Sequence, residues 1–504
     1  MKREGLIKQM AEEKRPWDLL IIGGGATGLG VAVDASSRGY RVLLVEQHDF
    51  AKATSSRSTK LVHGGVRYLQ QGDVSMVVEA LRLWRNAPHL VKDMRFIIGN
   101  YRWWERPFYT IGLCCYDLLA GRLGLGRSLP LSKKQTLKEL PGLLHDHLRG
   151  GVVYHDGQFD DSRMAITLMQ SAHDHGAICI NYMKVTSLIK NDSGKICGAA
   201  LEDTLEGGTY EVNVKGVVNA TGVYVDDIMQ MDKPESRKKV RPSQGVHIVV
   251  DAAFLGGNSA LMIPKTRDGR VLFGVPWHGK AVLGTTDTPL NENSLEPKPL
   301  DEEIDFILDQ AGQYLTRKPK RSDVLSVFAG LRPLAAPTHS NSKKTKEISR
   351  NHKIYVSDSG MLTITGGKWT TYRQMAEEAV NKVAALIGLE PRVCVTRKMQ
   401  LHGYREEVDR SVWDYVYGSD ADQIAALIEN DASLGELLHI GYTFRVAHVI
   451  WAVREEMAQT VEDVLARRVR ALFMDARAAM EMAPRVAAIM AREMGKDKLG
   501  NGTS

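Results

Sequence analysis

The sequence predicts an α/β protein that opens on a Rossmann-like dinucleotide-binding unit and ends in an all-α segment. Three observations carry this reading. An apolar strand runs straight into a glycine-rich turn near the N-terminus. A second strand follows one helix later and stops at a carboxylate. From about residue 400 onward the apolar residues recur at helical spacing.

The first strand is Trp17–Ile22, and it leads into Gly23-Gly24-Gly25-Ala26-Thr27-Gly28, which places Gly23, Gly25 and Gly28 at GxGxxG spacing. The first glycine makes the tight turn, the second lets backbone approach a pyrophosphate, and the third lets helix and strand pack closely. The helix then runs through Arg38, with Gly30, Ala32 and Ala35 small enough for close packing. The second strand, Arg41–Val45, ends at Glu46, 18 residues past Gly28. Glu46 is placed to accept hydrogen bonds from the adenosine ribose, and the helix N-terminus offers unpaired N–H groups to phosphate. Lys215–Asn219 reads as a returning strand whose small residues Ala220, Thr221 and Gly222 would lie beside the first glycine turn.

Further along, Ala281–Gly284 reads as a strand ending at Thr285, Thr286 and Asp287. Lys353–Val356 and Met361–Thr365 read as a hairpin, and Gly366-Gly367-Lys368 follows it. Thr370 or Thr371 would cap a helix reaching about Leu386. The expected C-terminal helices are Ala421–Glu429, Phe444–Met457, Val461–Phe473 and Pro484–Met494.

A chain of 504 residues with 43% hydrophobic content supports two to four domains. The net charge of +6 is too small for its length to argue for nucleic acid, so no nucleic-acid partner is expected. Five cysteines without CxxC spacing suggest neither a disulfide framework nor a metal site. Met1–Arg15 is charged throughout, and no run reaches the roughly 20 apolar residues that cross a bilayer. The expected location is cytoplasmic, or peripheral on the inner face of the cell membrane.

The run Thr54-Ser55-Ser56-Arg57-Ser58-Thr59-Lys60-Leu61-Val62-His63-Gly64-Gly65-Val66-Arg67-Tyr68-Leu69 resembles the signature of FAD-dependent glycerol-3-phosphate dehydrogenases. The likeness continues, in the family's order, through Asn219–Gly222, Gly284–Asp287, Gly330–Leu334 and Gly366–Arg373. It implies an FAD domain of the glutathione-reductase type, a substrate domain on an antiparallel sheet and a C-terminal helical domain. On that basis the FAD domain takes residues 17–90, 150–230 and 325–390, the substrate domain 91–149 and 231–324, and the helical domain 400–504. The resemblance also implies bound FAD, glycerol 3-phosphate as substrate and a membrane quinone as acceptor. Oxidases of the family carry an insertion in mid-chain, and the short connection between Asp226 and His247 favours the dehydrogenase branch. A homodimer stays open.

The same resemblance supplies the site. Cofactor contacts are expected from Gly23, Gly25, Gly28, Glu46, Thr54, Ser55, Ser56, Lys60, His63, Gly64, Val185, Ala220, Thr221, Gly222, Gly367 and Thr370. Holding a dianionic phosphate needs cations, for which Arg67, Arg332, Arg350 and Lys368 are the candidates, with Tyr68 and Thr286 beside the substrate. Oxidising an alcohol requires a group that takes the hydroxyl proton, and His247 at the head of an apolar strand matches the family's active-site histidine. His247, Arg332 and Lys368 form the expected catalytic set. An FAD oxidoreductase for an amino acid or 2-hydroxy acid is the competing enzyme, and a flavin-binding module without turnover the competing class. Lastly, Tyr101–Leu123 mixes Trp103, Trp104, Phe108 and Ile111 with Arg102, Arg106 and Arg122, which suits either an anionic membrane surface or an internal aromatic cluster.

Overall fold

Strands that are apolar on both faces must be covered on both faces. Trp17–Ile22 and Val42–Val45 meet that requirement by pairing in parallel inside a sheet. The computed structural model describes residues 1–62, 75–120, 126–335 and 352–496. Its first sheet runs in the order Lys353–Val356, Leu362–Thr365, Thr209–Asn219, Trp17–Ile22, Val42–Val45 and Ile178–Ile180. The four strands from Leu362–Thr365 to Val42–Val45 are mutually parallel, while Lys353–Val356 adds the antiparallel hairpin arm. Thr209–Asn219 does two jobs. Its second half joins this parallel sheet, and its first half pairs antiparallel with Ile196–Asp203 in a smaller ribbon completed by Met183–Lys190. The helix Ala26–Ser37 follows the glycine turn, and a Cβ on Gly30 would stand 2.8 Å from the Tyr372 ring, so glycine there lets the helix Tyr372–Leu386 lie against it.

The second sheet runs Thr288–Pro289, Val240–Asp251, Lys280–Gly284, Leu272–Trp277, Ala260–Ile263, Val91–Asn100, Gly150–Phe159 and Leu61–Val62. Ser326–Ala335 joins it along Val240 to Val249 of the strand Val240–Asp251, and Leu129–Ser132 pairs with Gly150–Phe159. The sheet is antiparallel except where Ala260–Ile263 runs parallel to Val91–Asn100. Residues 150–159 and 326–335, expected with the dinucleotide layer, therefore belong to this sheet. Their alternation carried no sign of which sheet they would join, because pairing is decided by partners distant in sequence.

The C-terminal segment is helical, with differences from the expectation. Ala421–Asn430 and Val446–Glu455 form as expected. The single helix expected over Val461–Phe473 is instead a π-helical segment, Asp463–Arg468, and a short helix, Ala471–Met474. The last helix begins at Ala476, not at Pro484, because Asp475 accepts hydrogen bonds from the Arg477 and Ala478 N–H groups and caps it there. These helices share one apolar core with the dinucleotide layer.

Candidate active site

A cavity of about 520 Å³ opens where the two sheets meet. The parallel strands deliver their carboxyl ends to it: Ile22 runs into Gly23, Val45 into Glu46, Asn219 into Ala220 and Thr365 into Gly366. That is where ligands bind in open α/β sheets, since helix N-termini and loop N–H groups converge there.

The three glycines of the turn do different work. A Cβ on Gly28 would lie 1.9 Å from the Gly23 carbonyl oxygen, and one on Gly23, at φ +110°, would lie 2.8 Å from that of Ala220. Those two positions are closed by the fold itself. At Gly25 a Cβ would meet only the Ser55 hydroxyl, at 3.0 Å, and would otherwise enter the cavity. The Ser55 hydroxyl accepts from the Ala26 N–H at 2.9 Å, and the Ser55 carbonyl accepts from Trp369 Nε1 at 2.8 Å, which ties the first helix turn to the segment after Gly367. Glu46 accepts from the N–H groups of Gly24 at 2.7 Å and His48 at 2.9 Å, one on each oxygen. Each oxygen keeps a second lone pair for a ribose hydroxyl. Burial raises the Glu46 pKa above its ordinary value.

The second sheet supplies the opposite wall. His247 and Arg332 sit on neighbouring antiparallel strands, where Ser243 faces Arg332 and His247 faces Phe328. A Cβ at Gly245 would stand 2.3 Å from the Arg332 guanidinium, so glycine lets that side chain lie across the strand. Arg332 donates to the carbonyls of Gln244 at 3.3 Å and Thr286 at 2.9 Å, to Thr285 Oγ1 at 3.1 Å, and to Asp287 Oδ1 at 3.2 Å. Asp287 also accepts from the Ser243 hydroxyl. Lys368 lines the same cavity beside Gly366 and Gly367, both at positive φ, and just before the turn Trp369–Thr371.

The His247 ring is 2% exposed and stacks on Phe328 with centroids 5.0 Å apart. Its Nε2 and the Thr59 Oγ1 are 2.9 Å apart, while Nδ1 is buried without a hydrogen-bond partner among the described residues. Burial, then the positive charges of Lys60 and Arg332, hold the pKa well below the ordinary histidine value. The ring is neutral at physiological pH and can accept a proton.

Of the expected site residues, Gly23, Gly25, Glu46, Thr54, Ser55, Val185, Ala220, Thr221, Gly222, His247, Thr286, Arg332, Gly367, Lys368 and Thr370 line this one cavity. Arg67, Tyr68, His63, Gly64 and Arg350 lie outside the described residues. Four of the expected residues are engaged within the protein itself. Gly28 serves helix packing and does not line the cavity. Ser56 is fully buried, with its hydroxyl turned to the Ala53 carbonyl. Lys60 is also fully buried and forms an ion pair with Asp161 at 2.7 Å, because an ammonium removed from water needs a carboxylate. The Thr286 hydroxyl is committed to Glu303, at 2.8 Å, and to the Val246 N–H. Thr371 takes the expected N-cap position of the helix Tyr372–Leu386, but its hydroxyl turns back to Lys368 and makes no capping hydrogen bond. Sequence reading missed Thr59 as the histidine's partner and Trp369 as the tie to Ser55. Both stand inside motifs that were recognised, but nothing in a motif says which way a side chain points.

Residues 18–373 match the FAD dependent oxidoreductase family. The chain is 41% identical over 531 residues to the mitochondrial glycerol-3-phosphate dehydrogenase of Arabidopsis thaliana, covering 96% of this chain and 84% of that one. It is 39% identical over 521 residues to the mitochondrial enzyme of Rattus norvegicus, covering 96% and 71%. The chain belongs to the FAD-dependent glycerol-3-phosphate dehydrogenase family. A crystal structure of the glycerol-3-phosphate dehydrogenase from Bacillus halodurans complexed with FAD superposes with a TM-score of 0.80 at 31% identity, covering 99% of this chain and 94% of that one. Residues 361–499 match the C-terminal domain of alpha-glycerophosphate oxidase. In this dehydrogenase family FAD is the cofactor, and the cavity fits it: a glycine cradle that a Cβ at position 25 would fill, a helix N-terminus for the pyrophosphate and Glu46 for the ribose.

Proposed function

We propose that the protein oxidises sn-glycerol 3-phosphate to dihydroxyacetone phosphate and that its electrons pass to a membrane quinone. The observation that carries this reading is the meeting of His247, Arg332 and Lys368 with the glycine cradle in one cavity. Bound FAD supplies the hydride acceptor. Arg332 and Lys368 hold the phosphate, Arg332 with its fork already oriented by Asp287 and the Thr286 carbonyl. His247, neutral and desolvated, takes the hydroxyl proton on carbon 2. Arg332 and Lys368 together suit a dianion better than the single carboxylate of an amino acid or 2-hydroxy acid, which one arginine satisfies.

The quinone half of the reading rests on a surface. Trp103 is 77% exposed, Phe108 59% and Ile111 66%, with Trp104 also exposed, around the start of the helix Glu105–Ala120. Arg102 and Arg106 stand exposed among them, and Arg122 lies outside the described residues. This is not an internal aromatic cluster. Exposed aromatics beside arginines suit the headgroup layer of an anionic membrane, reached from the cytoplasmic face. No helix among the described residues is long and apolar enough to cross a membrane.

Oxygen as acceptor is the second reading, favoured by the match of residues 361–499 to an oxidase domain. Against it, the helix Val225–Asp232 and the strand beginning at Val240 are joined by only a short connection, with no inserted domain. Anaerobic addition of glycerol 3-phosphate tests the substrate, and hydrogen peroxide formed in air separates the acceptors. Substrate reduction of the flavin with little peroxide and rapid electron transfer to a quinone analogue is expected; stoichiometric peroxide would overturn the quinone assignment.

A further inference from the structure

Behind the wall that holds His247 lies a buried ionic cluster that ties the C-terminal segment to that histidine. Thr59, its hydrogen-bond partner, sits between two residues that share one carboxylate oxygen. Asp161 Oδ2 accepts from the Ser58 N–H at 2.9 Å, the Ser58 hydroxyl at 2.7 Å and Lys60 Nζ at 2.7 Å. The other oxygen, Oδ1, accepts from Arg470 Nη2 at 2.9 Å. Arg470 also donates to the Ser56 carbonyl at 3.1 Å and stands 3.3 Å from Asp160. Lys60, Asp161 and Arg470 have fully buried side chains.

An aromatic box completes the arrangement. Lys60 Nζ lies 4.8 Å from the Phe328 ring centroid, 5.4 Å from that of Trp277 and 5.7 Å from that of Phe473. Phe328 is the ring on which His247 stacks, and Phe473 meets Phe328 edge-on with centroids 5.1 Å apart. Arg470 lies over both Trp277 and Phe473. The C-terminal segment Arg470–Phe473 thus backs the two contacts that fix the histidine ring, Thr59 through Asp161 and Phe328 through Phe473.

We propose that Lys60, anchored by Asp161 and Arg470, is a positioning residue for His247: it holds Thr59 against the ring and keeps a positive charge behind it, so that the imidazole stays a neutral proton acceptor. The C-terminal helical domain then forms part of the proton-handling wall of the active site. A buried ammonium is costly to desolvate, and the two carboxylates beside it, Asp161 and Asp160, are both shared with Arg470. Among the described residues, the charged groups facing His247 are Lys60 and Arg332, and those facing Lys60 are Asp161, Asp160 and Arg470. Removing Lys60 takes away one cation and leaves the Asp161 carboxylate to Arg470 alone, and both changes favour the imidazolium.

The inference rests on His247 as the base, and the test separates the two. The rate of anaerobic flavin reduction by glycerol 3-phosphate is measured from about pH 5.5 to 8 in Lys60→Met, Lys60→Arg, Arg470→Gln and His247→Asn, each with its FAD content. In Lys60→Met the acid limb moves up toward the ordinary histidine value of about 6.5, so reduction at about pH 5.5 falls about tenfold below its rate at pH 8. Lys60→Arg keeps the charge and the original limb. Arg470→Gln shifts the limb in the same direction and carries the test should Lys60→Met fail to retain FAD. A purely structural role would lower the rate by the same factor at every pH, and that result would overturn the proposal. If His247→Asn reduces its flavin at the normal rate, the base assignment itself fails, whatever Lys60 does.

Discussion

Replacing Arg332 by glutamine probes the proposed substrate site most sharply, because in that proposal the guanidinium both holds phosphate and pairs with Asp287. A charge-assisted contact to a phosphate oxygen is worth about 1.5 to 3 kcal/mol, about ten- to a hundredfold in kcat/KM. The same guanidinium sits 3.2 Å from Asp287, whose side chain is only 8% exposed. Without it that carboxylate faces an incoming dianion with one cation fewer. At an effective dielectric of about 20, like charges some 4 Å apart repel by about 4 kcal/mol, so even a partly screened clash adds another tenfold or more. Arg332→Gln should therefore lower kcat/KM for glycerol 3-phosphate about a thousandfold while FAD stays bound, since the cofactor's glycine cradle lies on the other sheet. Adding Asp287→Asn should recover about tenfold of the loss, the signature of coupled neighbours. The assay is anaerobic stopped-flow reduction of the flavin over a range of substrate concentrations. A variant with full FAD content and kcat/KM within about threefold of the parent would place the phosphate elsewhere.

The glycine turn makes a second, differential prediction: Gly28→Ala, with its Cβ 1.9 Å from a carbonyl oxygen, should fail to give folded protein, whereas Gly25→Val should fold with a near-normal melting temperature and lose its FAD. Equal FAD retention in folded Gly25→Val would remove the cradle from the cofactor. For pH, the depressed pKa of His247 means that its neutral form persists below the ordinary value, so the rate of flavin reduction should stay flat as pH falls through about 6.5 and decline only in stronger acid. A limb at neutrality would contradict the buried, desolvated setting of the ring. Finally, serine at Trp103, Trp104 and Phe108 should weaken salt-sensitive binding to anionic liposomes and slow quinone reduction while sparing activity with a soluble dye. Parallel loss of both activities would locate the membrane contact elsewhere.

The parts of this fold that were legible in the sequence are those governed by local rules. Trp17–Ile22, the glycine turn, Glu46 and the hairpin ahead of Gly366 were readable because strand periodicity, turn glycines and a terminal carboxylate each leave a mark within a few residues. His247 and Arg332 were readable through the resemblance, and the structure brings them to one cavity from adjacent strands. Lys60 stands inside the signature run, which says nothing of where its side chain goes; only a carboxylate 101 residues away explains why it turns inward. Sheet membership of 150–159 and 326–335 was illegible for the same reason, since it depends on pairing across the chain. Asp475 was a visible cap signal, but Pro484 inside the same helix drew the boundary eight residues too late.

The central claim is that the cavity uses FAD to oxidise a phosphorylated polyol. Its most direct measurement is the visible spectrum of the purified holoenzyme, held anaerobic, before and after addition of glycerol 3-phosphate, with glycerol, lactate and glycine added in parallel. Bleaching of the oxidised flavin band by glycerol 3-phosphate alone, with dihydroxyacetone phosphate formed in equal amount to the reduced flavin, is the predicted result. A flavin band unchanged by glycerol 3-phosphate, or bleached equally by a 2-hydroxy acid or amino acid, would contradict the account.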